Sequence, residues 1–222
     1  KSSQVAIAKV ALDLPPDSIF DVLQRSGIGE YVGTGLPGEV VGMFSNVGAE
    51  SRVSRAAMAY GYGFTVTPLQ LASAYVTLAG HGNRLPLSIL KQDRAPVPER
   101  VFDADHTRQV VSMMERVTQR GGTATYAGIN DYRVAGKTGT ARVLGKEGYD
   151  DERHVAWFAG LVPASDPRIV MVVLINEPDS ERTSGGKVAA PIFARVAERS
   201  LRLLGVPPDN MADKGQGLLA RR

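Results

Sequence analysis

The sequence predicts an α+β protein, with an antiparallel sheet flanked by helices. Two observations carry that prediction. Apolar residues recur at helical spacing near the N-terminus, over 67–78, over 107–118 and over 188–204. Between the last two stretches lie three consecutive strand-like runs, Tyr132–Val143, His154–Val162 and Arg168–Ile175. Helices, then a run of strands, then a helix is the segregated order of an α+β fold; alternating strands and helices would give a parallel sheet.

In order, Ser2 to Leu14 reads as a first helix with Val5, Ala8 and Leu12 on its apolar face. Pro15-Pro16-Asp17-Ser18 breaks it and starts a second helix, whose buried side is expected to be Ile19, Phe20, Val22 and Leu23. Gly27 and Gly29 stop that helix, and residues 27–51 read as a long, ordered surface excursion with Leu36-Pro37-Gly38-Glu39 as a turn. Thr67-Pro68 opens the clearest helix, because threonine caps a helix and proline fits its first turn. Leu69, Leu71, Ala72, Tyr75, Val76 and Leu78 are expected to pack from it, and Gly80-His81-Gly82 to end it. Pro86 to Leu90 predicts a short strand. Pro163-Ala164-Ser165-Asp166-Pro167 joins the last two strand runs, and Gly185-Gly186 precedes the closing helix. Pro207-Pro208 is expected to end the folded part, leaving 209–222 as a disordered tail.

A chain of 222 residues fits one sizeable domain or two small ones, and 43% hydrophobic with 22% charged residues is ordinary for a globular protein. A net charge of +3, without a long basic run before the C-terminus, gives no reason to expect nucleic acid. The absence of cysteine permits an oxidising compartment without requiring one. His81, His106 and His154 are scattered and lack metal-ligand spacing, so neither metal nor cofactor is expected. No apolar run approaches a membrane span, and there is no signal peptide. The chain starts at Lys1, already at the edge of a helix, and reads as a fragment whose upstream part is missing.

Lys137-Thr138-Gly139-Thr140 opens a strand and offers a distinct chemistry. The lysine supplies a positive charge that can hold a carboxylate or depress the pKa of a nearby proton carrier. The threonine hydroxyls can bind the same carboxylate, and glycine lets a ligand lie close to the strand. At a sheet edge, the strand's free N–H groups could pair with an extended substrate or point into an oxyanion hole. The Lys-Thr-Gly tripeptide alone fits a solvated lysine at a strand start equally well. Ser2-Ser3-Gln4 is the second candidate: Ser2 could relay a proton and Gln4 could hold a peptide carbonyl, although N-capping by serine is the simpler account.

A serine nucleophile with its lysine base needs Ser-x-x-Lys on one helical turn. Ser88-Ile89-Leu90-Lys91 reads as extended, which points its ends to opposite faces. Ser184-Gly185-Gly186-Lys187 carries two glycines, which disfavour a helical turn. Both are read as accidental, and no nucleophile is assigned within the chain.

Leu36-Pro37-Gly38-Glu39, Tyr60-Gly61-Tyr62-Gly63, Val66-Thr67-Pro68-Leu69-Gln70-Leu71-Ala72, Gly136-Lys137-Thr138-Gly139-Thr140-Ala141-Arg142 and Phe158-Ala159-Gly160 together resemble class B penicillin-binding proteins. The likeness is strongest to the septal, FtsI-like enzymes of the penicillin-binding protein 3 type, and it covers about residues 1–208 as the C-terminal part of a transpeptidase domain. The resemblance implies the fold of serine β-lactamases and penicillin-binding transpeptidases. It also implies a D,D-transpeptidase that cross-links peptidoglycan stem peptides through a serine acyl-enzyme, and that β-lactams acylate. The alternatives are a carboxypeptidase or β-lactamase-like hydrolase, and a non-catalytic β-lactam sensor or scaffold.

By the same resemblance, Ser-x-x-Lys lies upstream of Lys1 and Ser2-Ser3-Gln4 is the second motif. Ser2, Lys137 and Thr140 take catalytic roles; Gln4, Thr138, Gly139, Thr140 and Arg142 contact substrate. The implied partners are D-Ala-D-Ala stem peptides, β-lactams on the upstream serine, a membrane-embedded glycosyltransferase and divisome proteins. The implied place is the periplasm, on an inner-membrane anchor N-terminal to this chain. Two departures are visible. The family's asparagine is Gln4, and Thr183 and Ser184 replace the aromatic residues usual before the Gly-Gly of the last helix. They point to a divergent paralogue.

Overall fold

The computed structural model describes residues 2–45, 51–145, 148–179 and 183–210. The chain divides into two units, Lys1–Ala104 and Asp105–Arg222.

The first unit is helical. Its helices are α1 (Gln4–Asp13), α2 (Ser18–Arg25), α3 (Arg52–Ala59) and α4 (Pro68–Ala79). Ser3, not Ser2, caps α1: its hydroxyl accepts the Ala6 N–H at 3.2 Å. The buried stripe of α1 runs through Ala8, Ala11 and Leu12, while Val5 is exposed. On α2, Ile19, Phe20 and Leu23 are half-buried and Val22 is exposed, contrary to expectation. Helix α3 is not expected from the sequence. Its Arg55 guanidinium donates to the carbonyls of Ala11 (3.0 Å) and Leu14 (2.6 Å), tying α3 to the C-terminal end of α1.

Of the excursion expected over 27–51, residues 46–50 lie outside the described residues; the part over 27–45 has no regular element beyond turns at 27–29 and at Pro37-Gly38, yet it is pinned at several points. The Glu39 carboxylate accepts the N–H groups of Val32 and Gly33. Phe44 stacks on Phe20 and meets Phe64 edge-on. The main tie comes from α4. Thr67 and Gln70 form a capping box, with Gln70 N–H donating to Thr67 Oγ1 (3.1 Å) and Thr67 N–H to Gln70 Oε1 (2.9 Å). Gln70 Nε2 then donates to the carbonyls of Glu30 (2.8 Å) and Val41 (3.1 Å). On α4 the most buried residues are Gln70, Thr77 and Tyr75; the expected leucines are half-buried.

No strand forms over Pro86–Leu90. Pro86 lacks an N–H to donate, and the short pair lies either side of it: β1 (Asn83–Arg84) against β2 (Glu99–Arg100).

The second unit begins with α5 (Ala104–Glu115), three residues earlier than the periodicity predicts at both ends. A 3₁₀ turn, Thr125–Ala127, precedes a meander of β3 (Ala135–Gly145), β4 (Gly148–Val162) and β5 (Ile169–Asn176). All pairs are antiparallel, in the order β3-β4-β5, with a register shift in β3 between Arg142 and Leu144. Then come α6 (Gly185–Val188) and α7 (Ala190–Leu203).

The hydrophobic core of this unit lies between the sheet and α7. Phe158 of β4 and Phe193 of α7 are fully buried and meet edge to face, 4.9 Å between centroids. Val134, Val162, Ala190, Ala197 and Leu201 pack around them. The fold runs past Pro207-Pro208. Asp209 accepts from the Arg133 N–H (2.7 Å) and the Ser165 hydroxyl (2.6 Å), and Asn210 N–H donates to the Asp131 carbonyl (3.2 Å). Two residues expected in the tail are thus held; 211–222 lie outside the described residues.

Candidate active site

Strand β3 is an edge strand of the described sheet, with β4 on one side. Alternate N–H and C=O groups of such a strand point away from its neighbour and are open to an extended ligand. The strand also alternates its side chains. Lys137 and Gly139 project to one face, opposite Ala159 and Trp157; Thr138 and Thr140 project to the other, opposite Phe158 and Ala156.

On the first face, the room beside Gly139 is filled by protein. A Cβ there would fall 1.9 Å from Trp157 Cε2. The glycine lets the indole, rather than a ligand, lie against that face of the strand; any ligand contact at Gly139 is with its backbone. Lys137 is half-buried and donates from Nζ to the Thr138 carbonyl at 2.8 Å. Burial pushes its ammonium below the ordinary lysine value of 10.5.

On the second face, β3 meets the start of α6 and the turn before the 3₁₀ helix. Gly185 N–H donates to Thr140 Oγ1 at 3.3 Å, and the Thr138 and Thr123 hydroxyls share a hydrogen bond, 3.1 Å between their oxygens. The contact is close because Gly185 and Gly186 carry no side chains. A Cβ on Gly185 would lie 2.1 Å from the Trp157 carbonyl oxygen, and one on Gly186 2.0 Å from that of Thr123. The Gly-Gly pair therefore sits inside a helical turn, against the expectation from propensity. Close packing outweighs a preference worth ~1 kcal/mol per glycine.

Ser184 is the N-cap of that turn, and its carbonyl accepts the Lys187 N–H at 2.9 Å. The Ser184–Lys187 turn thus exists, but Lys187 is exposed, whereas a lysine base works from a desolvated pocket. Ser88 is engaged locally, accepting from Leu90 N–H (3.1 Å) and Gln92 Nε2 (2.7 Å) outside any helix.

Ser2 and Gln4 belong to the first unit. Both are exposed at the head of α1, Ser2 just before the cap and Gln4 as the first helical residue. The capping work falls to Ser3, so the cap does not account for Ser2. Arg142 is exposed on β3, paired in register with His154. Two residues that shape the strand were not singled out from sequence, Trp157 and Thr123. The Gly121-Gly122-Thr123 run reads only as a turn until the fold brings it to β3. Among the described residues no cluster of three or more His, Cys, Asp or Glu could hold a metal, and no helix is long and apolar enough to cross a membrane.

Residues 1–198 match the penicillin-binding protein transpeptidase domain. The chain is 43% identical over 210 residues to the peptidoglycan D,D-transpeptidase FtsI of Escherichia coli K12, covering 94% of this chain and 36% of that protein. It is 38% identical over 208 residues to the probable peptidoglycan D,D-transpeptidase PenA of Neisseria gonorrhoeae, covering 94% of this chain and 36% of that protein. The fold superimposes on the transpeptidase domain of penicillin-binding protein 3 from Burkholderia pseudomallei with a TM-score of 0.87 at 35% identity, over 94% of this chain and 64% of that one. The chain spans a little over a third of the length of these curated relatives. With its edge strand and meander matched by this fold and its sequence matched along nearly its whole length, the chain belongs to the penicillin-binding protein transpeptidase family.

Proposed function

We propose that the protein of which this chain is a part is a septal peptidoglycan D,D-transpeptidase. In this reading it works in the periplasm from an inner-membrane anchor and is a target of β-lactams. The observation that carries it is the edge strand β3, which carries Lys137 on one face and the Thr138 and Thr140 hydroxyls on the other, either side of open backbone groups along its edge. The identity to FtsI supports the septal assignment.

The roles follow from chemistry. A serine N-terminal to this chain attacks the penultimate D-alanine carbonyl of a stem peptide. The C–N bond to the terminal D-alanine breaks, and that amine leaves with a proton relayed through Ser2. A second stem peptide's amine attacks the ester, forming the new amide and returning a proton to the serine. Gln4 holds the substrate's peptide carbonyl. Lys137, Thr138 and Thr140 hold the terminal carboxylate, Gly139 lends backbone, and Arg142 adds positive charge at the strand's far end. The Thr140 N–H serves the oxyanion hole. Glycosyltransferase and divisome proteins are the partners of the full-length protein.

The test uses full-length protein. Labelled penicillin should form a stable acyl-enzyme, and a stem-peptide donor with an amine acceptor should give cross-linked product. Rapid turnover of the penicillin would favour a lactamase, and release of free D-alanine without cross-linking would favour a carboxypeptidase. Lys137→Ala should slow acylation about ten- to a hundredfold, the worth of one charge-assisted contact. Unchanged acylation in that variant would remove Lys137 from the site.

A further inference from the structure

We infer that Thr123 is a positioning residue for the carboxylate site, setting the direction in which the Thr138 hydroxyl donates. This rests on the proposed role of Thr138 and Thr140 in holding a substrate carboxylate.

A threonine hydroxyl has one hydrogen to donate and lone pairs to accept with. A carboxylate only accepts, so each threonine that binds it must turn its single hydrogen toward it. Thr140 is prepared for this. Gly185 N–H donates to Thr140 Oγ1 and satisfies its acceptor side, leaving the hydroxyl hydrogen to point outward. Thr138 differs, because its Oγ1 lies 3.1 Å from Thr123 Oγ1 and the two hydroxyls share one hydrogen bond in which either can be the donor. To engage an anion, Thr138 must point its hydrogen away from Thr123. The Thr123 hydroxyl can then rotate and donate to Thr138 Oγ1 in turn. The two hydroxyls form a pair on which an arriving anion imposes one polarity: Thr123 O–H to Thr138 O–H to carboxylate. A donor behind a donor polarises it and strengthens the outer bond.

Thr123 is held where it can do this. The turn that carries it is closed by Gly122 N–H to the Gln119 carbonyl (2.8 Å) and Ala124 N–H to the Val117 carbonyl (2.9 Å). Its own carbonyl packs on Gly186, where no Cβ would fit. One residue thus touches both the turn that positions Gly185 and the strand that positions Thr138. The backbone N–H of Gly185 does for Thr140 what the side chain of Thr123 does for Thr138. The first is fixed by the fold; the second depends on one hydroxyl, and so is open to substitution.

The test compares Thr123→Val, which keeps the shape and removes the hydroxyl, with Thr123→Ser, which keeps the hydroxyl, both in the full-length protein. The readout is the second-order acylation rate constant for a β-lactam carboxylate and for its methyl ester. Thr123→Val should lose about three- to tenfold on the carboxylate, the worth of one hydrogen bond, and little on the ester. Thr123→Ser should restore the carboxylate rate. Thr138→Val should show the same preference for hitting the carboxylate, and adding Thr123→Val to it should cost nothing more. Equal losses on both ligands, or no rescue by serine, would make Thr123 merely structural and overturn the inference. If Thr138→Val itself left the carboxylate rate unchanged, the failure would lie instead in the reading of the site.

Discussion

Lys137 is the residue whose environment most constrains the chemistry. It is half-buried and hydrogen-bonded to the Thr138 carbonyl, and burial disfavours its charged form. Two pH effects follow. The unfolded chain binds the Lys137 proton more tightly than the folded one. This residue's contribution to stability therefore rises with pH between the lowered folded value and 10.5. Function moves the other way. Affinity for a carboxylate ligand should fall as pH rises through that lowered value, earlier than an ordinary lysine would allow. A pH series of acylation rates checks this, and Lys137→Arg, whose side chain stays charged, should push the alkaline fall to higher pH. Lys137 was legible from its tripeptide. Trp157 was not, because nothing in the sequence says which of the three aromatic residues of β4, Tyr149, Trp157 or Phe158, would lie across from Gly139; only the register Gly139↔Trp157 does.

At the scale of elements, side chains that bridge segments matter more than the helices' own preferences. Gln70 is 1% exposed, and its amide carries two backbone carbonyls of the 27–45 excursion. Gln70→Leu should destabilise by about 2–4 kcal/mol, from two carbonyls left unsatisfied and a lost capping partner. Chemical denaturation measures the loss, and limited proteolysis should show faster cleavage within residues 30–41. The Thr67-Pro68 start was plain in the sequence because capping is local. The buried position of Gln70 was not, since apolar periodicity points to the leucines on either side. Helix α3 was invisible for a related reason: Arg52–Ala59 has few large apolar residues, and Arg55 joins it to α1 across more than forty positions.

At the scale of the second unit, one aromatic pair links sheet and helix. Phe193→Ala would empty a site that is 0% exposed beneath β4, and should cost about 3–5 kcal/mol. Thermal unfolding of the protein measures this, and Phe193→Leu should recover most of it. The sequence by itself determined the α+β class, the order of the meander, the closing helix and the Lys137–Thr140 motif. Each of these depends on periodicity or on neighbours a few residues apart, which one chain displays directly. Tertiary structure alone decided that Gly185-Gly186 form a helical turn, that Trp157 occupies the space at Gly139, and that Thr123 stands behind Thr138. Those three depend on how closely backbones from distant segments approach, and contact distance between segments has no period in a sequence.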